Sequence, residues 1–493
     1  MEQLATYQNS KLPYDTLIFI FAFHVKNLLL ASSKKIKPHE WLSFTHVCQS
    51  WRSAALHSRT LWTEPDLRFP TIAREMLKRS QSLPITLDFS ASERARREEL
   101  ALELLKEHLE RTAYLSLSLS APAMDRVLRS AVTPASSLRT LTLSVYGEEA
   151  TRIVLPNDFL GGTSASLQRL AVHGFFIPWN SAFLILKDLT HFAVTCPIGS
   201  TPDLSLSQLA QVLRRCPALE LLSLSNCVSL TSEDTPPVEL TRLRHVGVGS
   251  KMPVLIELMA TLKMPPTTSL KLGVVPGESH MLPAEITRLM TLTLGLPESG
   301  KPINEVTTLS FAKEEGMFTC LAWDEVINRR FSLSFFYCSQ HPPDFEEYVH
   351  TFLEAASISN LEMLHLSNVP ISSRTVRLLS TLPRLDTVGL SPECASTVIE
   401  ALAPPVGTAG GGSQEGMPFS SLEVLHLHNV VFGPLPPEIE LKSLLYKKLA
   451  ARREGGVGLL GLRLKSCEGL SEEDIVRLEE IVPVIDGDNF EEL

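Results

Sequence analysis

Two stretches, Leu219-Glu-Leu-Leu222-Ser-Leu224-Ser-Asn-Cys227 and Leu459-Leu-Gly-Leu462-Arg-Leu464-Lys-Ser-Cys467, share the pattern L-x-x-L-x-L-x-x-C and decide how the rest of the chain is read. Looser copies of the L-x-x-L-x-L kernel begin at Leu138, Leu167, Leu189, Leu243, Leu289, Leu361, Leu385 and Leu422, and degenerate ones lie near Leu115–Leu119, Leu270–Leu272, Leu309–Phe311 and Phe331–Phe335. Within each kernel, x-L-x-L-x predicts a short strand whose alternate side chains point inward, with the first leucine packing from the preceding turn. One such strand cannot bury its own leucines, so neighbours must stack.

From Leu115 to Cys467 the units recur about every 25 residues, inside the 20–29 window of leucine-rich repeats. The predicted fold is an α/β repeat solenoid with parallel strands on its concave face and a small all-α N-terminal module. Asn or Cys at the ninth kernel position would close the turn after the strand. Phe175, Val369 and Val430 stand there in other units, which predicts an irregular turn column and uneven curvature.

Helical patterns lie between the kernels. Ser207–Cys216 presents Leu209, Val212 and Leu213 on one face, Asp344–Glu347 forms a candidate capping box, and Pro253 could start a helix carrying Leu255, Leu258 and Leu262. Ser92–Arg111 carries Leu100, Leu104, Leu105 and Leu109 at helical spacing, and Ser471-Glu-Glu-Asp474 looks like a cap for a terminal helix. The Gly-rich run of 406–418 has the composition of a flexible loop. These signals divide the chain into a helical module at 12–67, a connecting and capping helical segment at 68–112, irregular repeats at 113–470, and a capping helix with an acidic tail at 471–493.

The first module has no kernel but three of the five tryptophans. Leu12-Pro-Tyr-Asp-Thr-Leu17-Ile-Phe-Ile20-Phe21 reads L-P-x-D-x-L-x-x-I-F, in which proline preorganises a helix start and Asp15 suits its positive end. Leu42, then Val47-Cys48-Gln-Ser-Trp51-Arg52 and Leu61-Trp62 complete an apolar pattern. Residues 12–67 thereby resemble the F-box, the helical module that docks onto the Skp-type adaptor of cullin–RING ubiquitin ligases. The remainder is similar to the leucine-rich-repeat half of F-box/LRR receptors of mushroom-forming fungi, where phrases such as Arg214-Arg-Cys-Pro-Ala-Leu-Glu-Leu-Leu-Ser-Leu224 recur. About fifteen residues around Leu28–Pro38, with Lys34, Lys35 and Lys37, stand where the family has a shorter connection.

The resemblance implies a non-catalytic substrate-recognition subunit of an SCF-type ubiquitin ligase, with a Skp-type adaptor and through it a cullin as partners, and a protein substrate on the concave face. Its adaptor-binding residues would be Leu12, Pro13, Leu17, Ile20, Phe21, Leu42, Val47, Trp51, Leu61 and Trp62. The alternative is a leucine-rich-repeat interaction scaffold outside ubiquitination. His426 and His428 project from one strand face, and with His365, Arg463 and Lys465 they predict a mildly cationic target-binding strip.

Composition bounds the partners. A net charge of −10 over 493 residues offers no global positive field for nucleic acid or an acidic membrane. His24 and Lys26 interrupt the apolar run Leu17–Ala31, and no secretory-signal pattern precedes it, so an intracellular protein, cytoplasmic or nuclear, is expected. The eight cysteines are scattered without a C-x-x-C pair, which predicts free thiols rather than disulfides or zinc. Gly295-Leu-Pro-Glu-Ser-Gly300-Lys301-Pro302 matches G-x-x-x-x-G-K, yet proline replaces the magnesium-binding hydroxyl, so no nucleotide site is expected. No catalytic motif, metal or cofactor is predicted.

Overall fold

The computed structural model describes residues 12–31, 42–67, 69–89, 94–146, 153–162, 166–179, 184, 186–196, 204–230, 235–275, 282–294, 306–324, 329–337, 343–356, 358–404, 417–432 and 441–488. The chain belongs to the α/β class and forms two compact units, one comprising 1–204 with 211–219 and the other 205–210 with 220–493. The expected loop at 406–418, apart from Met417 and Pro418, lies outside the described residues, as do Lys34, Lys35, Lys37 and the Gly295–Pro302 motif.

The first unit opens with helices α1 (Tyr14–Ala31), α2 (Gln49–His57) and α3 (Pro70–Ser80). Five parallel strands follow in sheet order: β1 (Ile85–Phe89), β2 (Thr112–Ser120), β3 (Thr140–Tyr146), β4 (Arg169–His173) and β5 (His191–Thr195), with α4 (Arg94–His108) and α5 (Ala121–Ser130) as crossovers. The segment 68–112, predicted to be helical, therefore contains a strand. Ile85, Leu87 and Phe89 alternate inward, and a five-residue strand suffices once β2 supplies the pairing.

The second unit contains β6 (Leu221–Ser225), β7 (His245–Ser250), β8 (Ser269–Val274), β9 (Thr308–Glu314), β10 (Met317–Asp324), β11 (Arg329–Phe336), β12 (Met363–Ser367), β13 (Thr387–Leu390), β14 (Val424–His428), β15 (Gly461–Lys465) and β16 (Val484–Asp488). Their sheet order is β6-β7-β8-β11-β10-β9-β12-β13-β14-β15-β16. All pair in parallel except β9-β10-β11, an antiparallel meander. Glu314 pairs with Met317 around Glu315-Gly316, and Gly316 has a φ of +74°, a left-handed conformation that glycine adopts without steric cost. Outside that meander, helices connect many of the strands, as parallel pairing demands.

The kernel beginning at Leu289 is a correction. Leu289-Met-Thr-Leu-Thr-Leu294 lies inside α8 (Pro283–Leu294; α6, Leu206–Arg214, and α7, Met252–Thr261, precede it). Ile286, Leu289, Met290, Thr293 and Leu294 are buried at a helical period, whereas Leu292, which a strand would turn inward, is 41% exposed. The terminal segment also differs, because after α9 (Phe345–Ala355), α10 (Ser373–Ser380), α11 (Pro392–Ala401), α12 (Leu441–Glu454) and α13 (Glu472–Glu479), residues of the acidic tail form β16. Ser471 and Asp474 make the expected capping box. Asp344 Oδ1 likewise accepts the Glu347 N–H as N-cap of α9.

The turn column is irregular, as expected, but five of the kernels share a left-handed residue one position earlier than the ninth. Gly174, Asn226, Asn368, Asn429 and Ser466, at kernel position eight, all have φ between +52° and +83°. Gly174, Asn226 and Asn429 donate their N–H to a carbonyl of the next strand (Thr195, Gly249 and Lys465), and Asn368 donates to the Ser391 hydroxyl. Glycine and asparagine tolerate that backbone best. Position nine then points into the core: Phe175, Cys227, Val369 and Val430 are buried, so any apolar side chain that fits serves there.

Candidate functional site

In the helical head, α1 packs its Leu17 and Phe21 against Phe44, Ala54, Ala55, Leu61, Trp62 and Met76, with Leu42 and Trp51 partly buried at the edge. Phe21 stacks on Phe44 at 4.3 Å and meets Trp51 at 5.3 Å. The Trp62 indole donates to the Ala55 carbonyl at 3.1 Å, and the Arg79 guanidinium lies over its ring. Met76 comes from α3, so the head extends beyond residue 67.

The ten residues expected at an adaptor surface consequently divide. Leu17, Phe21, Leu61 and Trp62 are core, and Leu42 and Trp51 flank it. Leu12, Ile20 and Val47 are exposed, as is Pro13. The sequence reading missed Tyr14, Phe19 and Phe23, which stand open to solvent, Phe19 at 73% and Phe23 at 59% exposure. Phe19 and Phe23 are one helical turn apart, so the same face of α1 carries both.

In the second unit the exposed side chains of the strands fall into register rows. One row runs His365, Gly389, His426, Arg463 and Asp486 across β12 to β16. Gly389 makes this possible, since a Cβ there would run into the His365 ring. The His365 and His426 rings lie 6.1 Å apart across that gap, and His426 is 6.2 Å from His428. Burial, with help from Arg463, pushes the His426 imidazole down to about 4; burial lowers His365 and His428 too, the latter beside Lys465. All five predicted strip residues are thus brought together. A cavity of about 320 Å³ opens here, lined by His365, Gly389, Ser391, His428, Asn429 and Lys465. At neutral pH the imidazoles are uncharged donors and acceptors, and the positive charge comes from Arg463 and Lys465. Arg463 Nε lies 3.6 Å from Asp486 Oδ2.

A second cavity, about 700 Å³, lies on strands β6 to β11 and was not anticipated from the sequence. One register row through it reads Ser223, Gly247, Lys271, Ser332, Leu321 and Ser310. Glycine and serines give a low floor, and Leu321 and Trp323 of β10 rise beside it, 47% and 37% exposed. The Arg330 guanidinium stacks 4.8 Å from the centre of the Trp323 ring.

Among the described residues no cluster of three or more His, Cys, Asp or Glu side chains could hold a metal, and no helix is long and apolar enough to cross a membrane. Seven cysteines are described, all free, and burial pushes the thiols of Cys216 to about 12 and Cys394 to about 11, far from a nucleophilic thiolate at neutral pH. Neither a family model nor a curated protein matches this chain.

Proposed function

We propose that the chain is the substrate-recognition subunit of an SCF-type ubiquitin ligase, built as an irregular leucine-rich-repeat solenoid behind an F-box-like head. The head would bind a Skp-type adaptor, and through it a cullin, while the sheet's exposed rows would bind a target protein. One observation carries the reading. Phe19, Ile20 and Phe23 put a cluster of three large apolar side chains in water within about one turn of α1, and Leu12, Tyr14 and Val47 of the same head are exposed as well. Such a cluster marks a protein interface, and it coincides with the L-P-x-D-x-L-x-x-I-F motif. On this reading Leu17, Phe21, Leu61 and Trp62 hold the module's shape, and the exposed set makes the contact.

The test is co-purification with a Skp-type adaptor and its cullin. Ile20→Asp and Phe19→Asp alter exposed positions, so they should leave the fold's melting unchanged and abolish adaptor capture. Leu17→Asp places a charge in the core and should unfold the head itself. Adaptor binding by Phe19→Asp/Ile20→Asp at wild-type strength, or no adaptor binding by the folded wild type, overturns the proposal.

A further inference from the structure

The 700 Å³ cavity on β6 to β11 has the size of a small-molecule site and is predominantly apolar in lining. Beside the hydroxyls of its floor, its charged side chains are of one sign. Lys271 and Arg330 are exposed at its edge with His245 beside them, and among the described residues no Asp or Glu lines it. Among the described residues, neither Lys271 nor Arg330 has a carboxylate within ion-pair distance, whereas several exposed arginines elsewhere, such as Arg74, Arg288 and Arg374, are paired with glutamates. Two exposed cations beside an apolar hollow, unpaired among the described residues, complement a ligand with an apolar body and an anionic end.

The shape has a definite cause. The antiparallel β10 sets Leu321 and Trp323 next to a floor where β7 offers Gly247. A Cβ at Gly247 would meet only the Ser223 hydroxyl, at an ordinary 3.6 Å. Glycine is therefore not required there by packing below, and what its absent side chain preserves is the open volume above. We propose that this cavity binds a small organic acid, an apolar molecule ending in one carboxylate or similar anion, with its body on the Gly247 floor against Leu321 and Trp323 and its anion at Lys271 and Arg330. This site stands independently of the adaptor reading.

The test uses two fluorescent probes with the same apolar body, the anionic 8-anilinonaphthalene-1-sulfonate and the neutral N-phenyl-1-naphthylamine, with decanoate as competitor. Both are titrated into full-length protein carrying Phe19→Ser and Phe23→Ser, which strip the head of its exposed phenylalanines. The anionic probe should bind roughly tenfold more tightly, the advantage of one charge-assisted contact, and decanoate should displace it. Lys271→Gln/Arg330→Gln should erase that preference while the neutral probe still binds. Gly247→Leu and Ser332→Phe, which fill the cavity from different strands, should remove both signals with the far-UV spectrum unchanged. Equal affinity for the two probes, a preference that survives Lys271→Gln/Arg330→Gln, or wild-type binding in either filled variant overturns the assignment. Because Lys271 and Arg330 are exposed, their variant is informative even if a filled variant fails to fold.

Discussion

Replacing Arg452 with methionine should loosen one local turn by about 2–4 kcal/mol. Arg452, on α12, is completely buried, yet among the described residues no carboxylate pairs with it. Its Nη1 donates to the carbonyls of Leu402 (3.1 Å) and Pro418 (2.7 Å), and its Nη2 to those of Phe419 (2.8 Å) and Leu422 (3.4 Å). One guanidinium thereby ties the end of α11 to the turn at 418–422. Burial lowers its pKa from 12.5 to about 10, so holding the charge inside costs about 3 kcal/mol at about 1.4 kcal/mol per pKa unit. Methionine removes that cost, but it orphans the Leu402 and Pro418 carbonyls, at about 1–3 kcal/mol each, and weakens two more contacts. The losses exceed the relief. A chain of this size is not expected to unfold in one step, so the measurement is hydrogen exchange at two amides. The Leu422 N–H donates to Phe419 O at 3.0 Å and the Phe419 N–H to Ser380 O at 2.9 Å. Both should exchange roughly 30- to 1000-fold faster in Arg452→Met. Wild-type protection at both would show that the four carbonyls do not need the guanidinium, and the reasoning would fail.

Three further outcomes are expected. Trp62→Phe deletes the donor to Ala55 O and should cost the head about 1–3 kcal/mol in stability, more than Trp51→Phe, whose indole N–H makes no hydrogen bond among the described residues; equal costs in denaturant titrations of the two variants would refute this. His426 titrates at about 4 in the fold and near 6.5 in an unfolded chain, so its contribution is fully present above pH 6.5 and is lost as the pH falls from 6.5 to about 4. Arg463→Gln should raise the His426 pKa in an imidazole NMR titration, and an unmoved pKa would remove Arg463 as a cause. Gly389→Ala should displace the His365 ring and change its chemical shifts along with those of His426; unperturbed shifts would contradict the register that places Gly389 between them.

Much of this was legible because strands announce themselves at period two. The kernels at Leu138, Leu167, Leu219, Leu361, Leu422 and Leu459 each deliver a strand in the described structure. Leu289 misled because L-M-T-L-T-L satisfies both periods, and the deciding residue, Ile286, lies outside the six-residue pattern; Pro283 at the helix start was the available signal. β10 carries no kernel at all. Phe318, Cys320 and Ala322 alternate inward, but without leucines they resemble loop sequence until β9 and β11 supply partners. The cavity depended on that missed strand and so could not be foreseen. The head's residues were identifiable as a set, but which of them face water required the packing of α1 on α2.

The antiparallel meander also accounts for the step in the exposed face at β10. A parallel array places equivalent kernel positions in register, and here it sets the small Ser223 and Gly247 side by side. Reversing β10 breaks that equivalence. Its exposed positions come from a strand without the kernel pattern, and they hold Leu321 and Trp323 beside Ser332 and Arg330. The height difference that makes the cavity, and the stacked Arg330 at its edge, both follow from inserting one strand of opposite direction into the series. The histidine row arises differently: parallel register aligns His365 and His426, and Gly389 between them lets the rings approach. Two surfaces of different chemistry thus stand on one unit, one made by keeping the parallel register and the other by interrupting it.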